Sequence, residues 1–498
     1  MNSLSQKISV VEKIGYSLGD LSANLIFQTL MTFLAFFYTD IYRIPPAAAS
    51  AIICIGGMVG AFFTPVMGII ADRTVTRWGK FRPWILWTAI PFGVIALLAF
   101  STPKFSEGGK IAYALITYVV LVLVYTANNL PYAALSGVIT GDMKQRNSIS
   151  SYRFTAVMIA QFVVQVLLLP LVLILGDGDR TLGFERTMGI FAVVGIIFFI
   201  ITFLTTRERI VPAAEQKSSV KQDMGDLVKN KPWIAILVTT VFLFITLSLR
   251  GGSLVYYFEN YLSEPDLAAF LQNIGFNGAI DRLNQLLTGM GLVGFQWPED
   301  APTSGFSLFN AGGTISMIIG ISLSKGLADR FGKRDVFGVG LFLGAFFVLV
   351  FYFLPPHAIG LVYISQILHG FSYGLTIPLL WAMIADVADY SEWKNNRRAT
   401  AIVFSAMIFG LKAGLSVGGA LVAGILAIFG YNELMLIQSD ATIHGIKMAV
   451  SIFPTITFMI CVASLFFYEI NKTMESNIEQ ELGARRLKPN IQEPTINE

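Results

Sequence analysis

The sequence predicts an all-α membrane protein whose twelve transmembrane helices form two six-helix halves. Hydrophobic residues make up 54% of the 498 residues and charged residues only 13%, and the mean hydropathy is +0.65. Soluble domains carry about 25% charged residues, so this chain has too little polar surface to cover a globule in water. Twelve apolar stretches give the helix count, and a duplicated loop motif gives the two halves.

The apolar stretches are long enough to cross a bilayer, because about 20 helical residues span its hydrocarbon core. We place them near residues 14–42, 46–71, 83–102, 110–139, 152–176, 188–206, 233–262, 304–328, 335–355, 358–385, 399–429 and 447–469.

Basic residues concentrate in the loops on one side of these predicted spans, as in the segments 72–82 and 207–232. Loops rich in Lys and Arg remain in the cytoplasm. We therefore expect a multi-pass protein of a bacterial inner membrane with both termini in the cytoplasm. The net charge of +3 gives no support to nucleic-acid binding.

The chain repeats a loop motif. The segment GIIADRTVTRWGK from Gly68 returns as GLADRFGK from Gly326, and Pro131 precedes Asp142 by the same eleven residues that separate Pro378 from Asp389. Parallel repeats of this kind are typical of transporters that hold their substrate between the halves. We predict a first half over 1–206, a cytoplasmic linker over 207–232, a second half over 233–470 and a cytoplasmic tail over 471–498.

Charged residues recur at equivalent cytoplasmic ends of the two halves. Acids beside bases at these positions favour a gate that closes the inner side, whereas plain topology signals would need only the bases. The predicted gate residues are Asp72, Arg73, Asp142, Arg146, Asp329, Arg330, Asp389 and Arg397.

Four stretches resemble the glycoside–pentoside–hexuronide cation symporters of the major facilitator superfamily. They are YSLGDLSANL from Tyr16 with FFYTD ending at Asp40, DRTVTRWGKFRPWIL from Asp72, YTANNLPY from Tyr125 and ADVADYSEWKNNRRATA from Ala385. The resemblance covers nearly all of residues 10–470. It implies the major facilitator fold and a sugar transporter that works with a coupling cation.

The resemblance is uneven at the sites it implies. In family members of the melibiose type, two cation-binding carboxylates lie where this chain has Gly60 and Thr64, and two sugar-binding carboxylates lie where it has Asn24 and Asn129. A tryptophan of that type is replaced by Ala133. The resemblance therefore implies the transport role but not the sodium site.

Other positions of that type are retained in this chain: Tyr125, Thr126, Arg153 and Lys412. Sodium needs several hard oxygen ligands, whereas a proton needs only one carboxylate whose pKa burial raises. Asp20 is the best-placed carrier, and we expect a proton rather than sodium. The alternative is a structural Asp20 that pairs with a cation such as Lys412 or Arg250.

Arg250 and Lys412 are cations inside predicted spans, where a charge is expensive unless it faces a wet cavity or a partner. With Arg153 they make a positive cavity that suits an acidic sugar such as a uronide. The alternative is a neutral sugar, with the cations paired internally. The predicted substrate-binding residues are Asn24, Tyr125, Asn129, Arg153, Arg250, Thr376, Trp381 and Lys412.

Two further segments carry separate expectations. Residues 263–303 form a long outer loop with apolar residues at helical spacing, which predicts amphipathic helices in either a lid or an inert insertion. The polar tail after Asn471 is expected to be disordered. His369 lies in an apolar span, as a buried hydrogen-bonded histidine or a proton relay.

We expect a secondary active transporter of a sugar, glycoside or oligosaccharide, working as a monomer by alternating access. The alternatives are an uncoupled facilitator or exporter, and a sugar sensor that has kept the fold. The chain lacks a nucleophile motif and a phosphate loop, and Cys54 and Cys461 do not make a metal motif. We therefore expect neither an enzyme nor a cofactor.

Overall fold

The computed structural model describes residues 8–140, 143–209, 227–395, 400–435 and 437–487. Within them it is helical, and twelve helices are long and apolar enough to cross a membrane, which confirms the predicted fold class. These helices are α1 Val10–Ile41, α2 Pro46–Arg73, α3 Arg82–Ala99, α4 Glu107–Ile139, α5 Ser148–Gly176, α6 Arg180–Thr205, α7 Lys231–Asn260, α8 Ala301–Phe331, α9 Lys333–Phe353, α10 Ile359–Lys394, α11 Ile402–Ile428 and α12 Asp440–Phe467.

Several of these helices begin at a polar side chain that caps them. The side chains of Ser9, Asp179, Asn230, Asp300 and Ser439 each accept a hydrogen bond from a backbone N–H of the first turn. Those N–H groups have no partner within the helix, so the cap satisfies them. Polar caps thus fix where the apolar segments start.

The helices pack as two bundles that meet along several helix pairs, one of which is α1 with α7. Within the first half, α1 packs against α5 and α6, and within the second half α7 packs against α11 and α12. Between the halves, α2 packs against α11, and a π-helical turn of α5, Val163–Leu167, packs against α8. We call the end of the bundle that carries residues 263–303 the loop end, and the end where α1 begins and α12 finishes the terminal end.

The loop between α2 and α3 is held by a carboxylate that lies just after the C-terminal end of α6. The side chain of Glu208 accepts hydrogen bonds from the backbone N–H groups of Lys80, Phe81 and Arg82 at 2.8, 2.7 and 2.9 Å. Gly79 has φ +112°, and a Cβ added there would lie 2.4 Å from the Glu208 carboxyl carbon. Glycine is therefore required at this turn, because any side chain would displace the carboxylate.

The insertion between α7 and α8 contains two helices, Glu264–Asn273 and Phe276–Gly289, as the helical spacing predicts. The first helix buries Leu267 and Leu271, and its Phe270 ring lies 4.9 Å from the ring of Tyr363 in α10. The second helix exposes Leu283 and Leu286, whereas its Leu287 is partly buried. The insertion is therefore fixed to the second half through its first helix.

The expectation of a disordered tail is wrong for residues Lys472–Leu487, which form a helix. Ile478 and Leu482 are buried against the second half. Lys472 Nζ donates to the carbonyl oxygens of Asp329 and Arg330 at 2.7 and 3.3 Å, and Glu475 pairs with Lys333 at 2.8 Å. The spacing of two apolar residues by one helical turn was the available signal, and the polar composition masked it.

Candidate substrate cavity

A cavity of about 90 Å³ lies between the two halves, bounded by α1, α2, α4, α7 and α11. Most of its wall is apolar, and its polar groups come from both halves. The polar lining residues are Tyr118, Tyr125, Thr126, Ser248, Lys412 and Ser416. A largely apolar wall with a few convergent polar groups is the usual form of a small-molecule site.

Lys412 places an ammonium group in this cavity. Its Nζ donates to Thr64 Oγ1 at 2.6 Å and to Thr126 Oγ1 at 3.3 Å, so a second-half cation is held by first-half hydroxyls. No carboxylate of the described residues lies within ion-pair distance of Lys412, and none lines the cavity. The cavity therefore has a net positive charge.

Glycines on α11 decide where Lys412 sits. A Cβ at Gly414 would lie 2.4 Å from the Val241 carbonyl oxygen, and one at Gly418 would lie 2.5 Å from the Ile245 carbonyl oxygen. The backbones of α11 and α7 are thus in direct contact. This close packing fixes the rotation of α11 and turns Lys412 toward α2 and α4.

Asp20 forms an ion pair with Arg153, whose Nε lies 2.7 Å from Asp20 Oδ2. The guanidinium carbon also lies 5.6 and 5.3 Å from the ring centroids of Tyr16 and Tyr132, which stack on each other. Asp20 thus pairs with a cation, as the structural alternative has it, but the cation is Arg153 and neither Lys412 nor Arg250. Helix packing brings the start of α5 against α1, and the sequence does not show that.

Asn24 and Asn129 do not line the cavity, but each lies one helical turn from a residue that does. Asn24 Nδ2 donates to the Asp20 carbonyl oxygen at 2.8 Å, one turn from the cavity-lining Phe27 on the same side of α1. Asn129 is half-buried on α4, one turn beyond Tyr125, while its neighbour Asn128 is buried and donates to Thr88 Oγ1. Of the predicted binding residues, Tyr125 and Lys412 line the cavity, whereas Asn24, Asn129 and Arg153 do not.

Three other predicted binding residues lie elsewhere. Ser248 and Gly252 are the α7 residues that line the cavity, whereas Arg250 is on the opposite side of α7 and donates from Nη2 to Gln366 Oε1 at 2.7 Å. Thr376 is fully buried, and its hydroxyl donates to the Tyr373 carbonyl oxygen. Trp381 is 37% exposed and does not line the cavity.

Among the predicted gate residues, Asp72 and Arg146 make their described contacts inside the first half. Asp72 pairs with Lys80 at 2.9 Å, and Arg146 donates to the carbonyl oxygens of Thr140 and Gly137. The carbonyl oxygens of Asp329 and Arg330 accept from the tail helix, as described above. Asp389 lies near the end of α10, and Asp142 and Arg397 lie outside the described residues.

The loop end is closed by polar contacts that the sequence did not reveal. Thr39 Oγ1 lies 2.7 Å from Tyr256 OH, Asp40 accepts a hydrogen bond from Tyr431 OH, and Arg180 Nη1 lies 2.5 Å from Glu259 Oε1. We call these three contacts the loop-end latch. A π-helical turn, Phe37–Ile41, ends α1 and presents Thr39 and Asp40 to the second half.

Two six-helix halves with a cavity between them form the architecture of a membrane transporter. The family described as MFS/sugar transport protein matches residues 15–290 and 302–472, and the chain belongs to this family of membrane transporters. The resemblance to the glycoside–pentoside–hexuronide symporters is thereby confirmed, as is the expectation of a sugar transporter and not an enzyme.

Individual relatives match this chain over nearly its full length. The inner membrane symporter YicJ of Escherichia coli strain K12 is 34% identical, covering 97% of each chain. The isoprimeverose transporter of Lactiplantibacillus pentosus is 29% identical over 94% of this chain and 91% of its own. A solved inward-facing bacterial homologue of the human lysosomal transporter Spinster shares the fold, with a TM-score of 0.60 and 12% identity, covering 95% of this chain and 97% of that chain.

Proposed function

We propose that this chain is a proton-coupled symporter that carries an acidic sugar, such as a uronide, across the bacterial inner membrane. The observation that carries the proposal is the ammonium group of Lys412, which meets only hydroxyl oxygens in the central cavity. An uncompensated cation at this depth costs several kcal/mol. A substrate carboxylate would remove that cost, because it can pair with the ammonium group.

The remaining polar groups suit the hydroxyls of a sugar. Thr64 and Thr126 each use their hydroxyl proton on a backbone carbonyl of their own helix, so each has lone pairs left to accept. Tyr125 stacks on Phe27 with ring centroids 5.7 Å apart and offers an aromatic face at the cavity wall. This combination supports a ligand with an acidic group at one end and an alcohol-rich ring beside it.

The conformation supports alternating access. The loop-end latch joins the halves at the end that we assign to the periplasm, while the described contacts of Asp72 and Arg146 stay within the first half. This arrangement corresponds to an inward-facing state. We propose that the predicted gate residues exchange their partners across the halves when the latch opens.

The expected result of an uptake assay separates an acidic from a neutral substrate. In cells that overproduce the protein, glucuronate and galacturonate oligomers should compete with a labelled substrate for uptake, because their carboxylates pair with Lys412. The matching neutral glucose and galactose oligomers are the control. Competition by the neutral compounds alone would reject the acidic-sugar proposal and leave a neutral-sugar carrier.

Coupling to protons is proposed for the Asp20–Arg153 pair. The Asp20 side chain is 8% exposed, and protonation would remove its charge and release Arg153 from the 2.7 Å contact. We expect Asp20→Asn to flatten the pH dependence of uptake while keeping counterflow, because the amide cannot exchange a proton. Measuring counterflow in sealed vesicles with and without a proton gradient checks this.

Other outcomes of the vesicle experiment identify the alternatives. An unchanged pH profile in Asp20→Asn assigns Asp20 a structural role. Counterflow without any gradient-driven accumulation in the wild type identifies a facilitator. Substrate binding without counterflow identifies a sensor.

A further inference from the structure

Arg250 is a buried cation that the proposed transport cycle does not use. It is 7% exposed, and its guanidinium carbon lies 5.3 Å from the centroid of the Phe351 ring in α9. Its hydrogen-bond acceptor is the neutral side-chain oxygen of Gln366 in α10, 2.7 Å from Nη2. Arginine remains charged in proteins, so this interior holds a full positive charge.

The acid of α7 that could neutralise this charge, Glu259, is bonded elsewhere, and the one titratable group near Gln366 on α10 supplies no negative charge. Glu259, about 13 Å farther along α7 at 1.5 Å per residue, pairs with Arg180 of the first half. His369, one turn from Gln366 on α10, places Nδ1 3.3 Å from the Gly344 carbonyl oxygen, which is neutral. Within the described residues, Arg250 therefore has no anionic partner.

Three hydrogen-bond donors without acceptors follow one stripe of α7. Arg250 Nε, Ser253 Oγ and Tyr257 OH are all buried, and none has a partner among the described residues. Residues spaced i, i+3 and i+7 lie on the same face of a helix. The ring of Phe351 contacts both ends of this stripe, with its centroid 5.9 Å from that of Tyr257.

Buried donors without partners are rare, because each one costs about 1–3 kcal/mol. A water molecule could accept from them but would leave the guanidinium charge uncompensated. An anion would satisfy the donors and the charge together. We propose that Arg250, Ser253 and Tyr257 form an anion site inside the second half, separate from the Lys412 cavity.

The chemistry shared by the possible occupants is a small negatively charged acceptor. A free halide such as chloride has it, and so does the carboxylate of an acidic sugar. Because Arg250 is on the opposite side of α7 from Ser248 and Gly252, a sugar carboxylate could reach it only if α7 rotates or shifts. The experiment therefore needs separate chloride and glucuronate arms.

The test is thermal unfolding of the purified full-length protein in detergent, followed by tryptophan fluorescence. Chloride is titrated into a methanesulfonate background, for the wild type, Arg250→Gln and the exposed control Lys325→Gln. We expect a saturable rise of about 2–4 °C in the wild type and the control, and no rise in Arg250→Gln. Tyr257→Phe and Ser253→Ala, which keep the charge, should each weaken the apparent chloride affinity about fivefold.

Glucuronate is titrated in parallel, with Lys412→Gln added to the series. A glucuronate shift lost in Arg250→Gln identifies the sugar carboxylate as the occupant of the site, and one lost only in Lys412→Gln leaves the site to chloride. The proposal is overturned if neither anion gives a shift that depends on Arg250. Should Arg250→Gln fail to fold, unchanged chloride affinity in both Tyr257→Phe and Ser253→Ala overturns it equally.

Discussion

Lys412→Met is expected to lower the uptake of an acidic sugar about ten- to hundredfold while leaving the protein in the membrane. The ammonium group is the only charge among the described cavity-lining residues, and a hydrogen bond to a charged group contributes about 1.5–3 kcal/mol. Methionine keeps a similar length and removes the charge. Initial uptake rates at several substrate concentrations, normalised to the amount of protein in the membrane, measure the effect.

Two matched variants serve as controls for Lys412→Met. Lys412→Arg keeps the charge and should retain more uptake than Lys412→Met, although its larger planar head fits the contacts with Thr64 and Thr126 less well. Lys325→Met removes an exposed lysine from α8 and should leave uptake unchanged. Normal uptake by Lys412→Met would remove this residue from the site, and equal losses for acidic and neutral sugars would show that its charge does not select the substrate.

The fold could be predicted from the sequence because each transmembrane segment can be recognised from its own residues. Length, hydropathy and the position of basic loops need no knowledge of packing, and helices form in lipid wherever such a segment occurs. The residues near the cavity could be predicted in part for the same reason. Lys412 and Tyr125 are polar groups at apolar depth, and that is a local signal.

The partners of those residues could not be predicted, because they depend on how the helices rotate and pack. Asp20 pairs with Arg153 and not with Lys412 or Arg250, since the start of α5 packs on α1. Arg250 faces away from the cavity by its position on α7 relative to Ser248 and Gly252. The sequence gives the spacing along a helix but not the direction in which its face points.

The loop-end latch was missed for a different reason. In the sequence Asp40 is only the end of the stretch FFYTD that resembles the family, and Arg180 and Glu259 are ordinary charges in or near a predicted loop. Their contacts form between residues 79 positions apart for Arg180 and Glu259 and 391 positions apart for Asp40 and Tyr431.

Reversing one charge of the latch is expected to open the loop end. In Arg180→Glu the new carboxylate would face Glu259, which now lies 2.5 Å from the guanidinium group, so an attraction between α6 and α7 becomes a repulsion. Arg180 is 35% exposed and Glu259 is 18% exposed, so water screens the pair only partly. A change of about 1.4 kcal/mol shifts the balance between the two conformations about tenfold.

Thiol accessibility from the loop end measures that shift. After Cys54 and Cys461 are replaced by alanine, Ser248→Cys places one thiol on the cavity wall, which the latch separates from the loop end. We expect a membrane-impermeant thiol reagent, added on the loop-end side, to label this cysteine about ten times faster in Arg180→Glu. The exchanged pair, Arg180→Glu with Glu259→Arg, restores opposite charges and should return labelling to the original rate. If the exchanged pair labels as fast as the single variant, the two residues act independently and the latch does not hold the halves together through this ion pair.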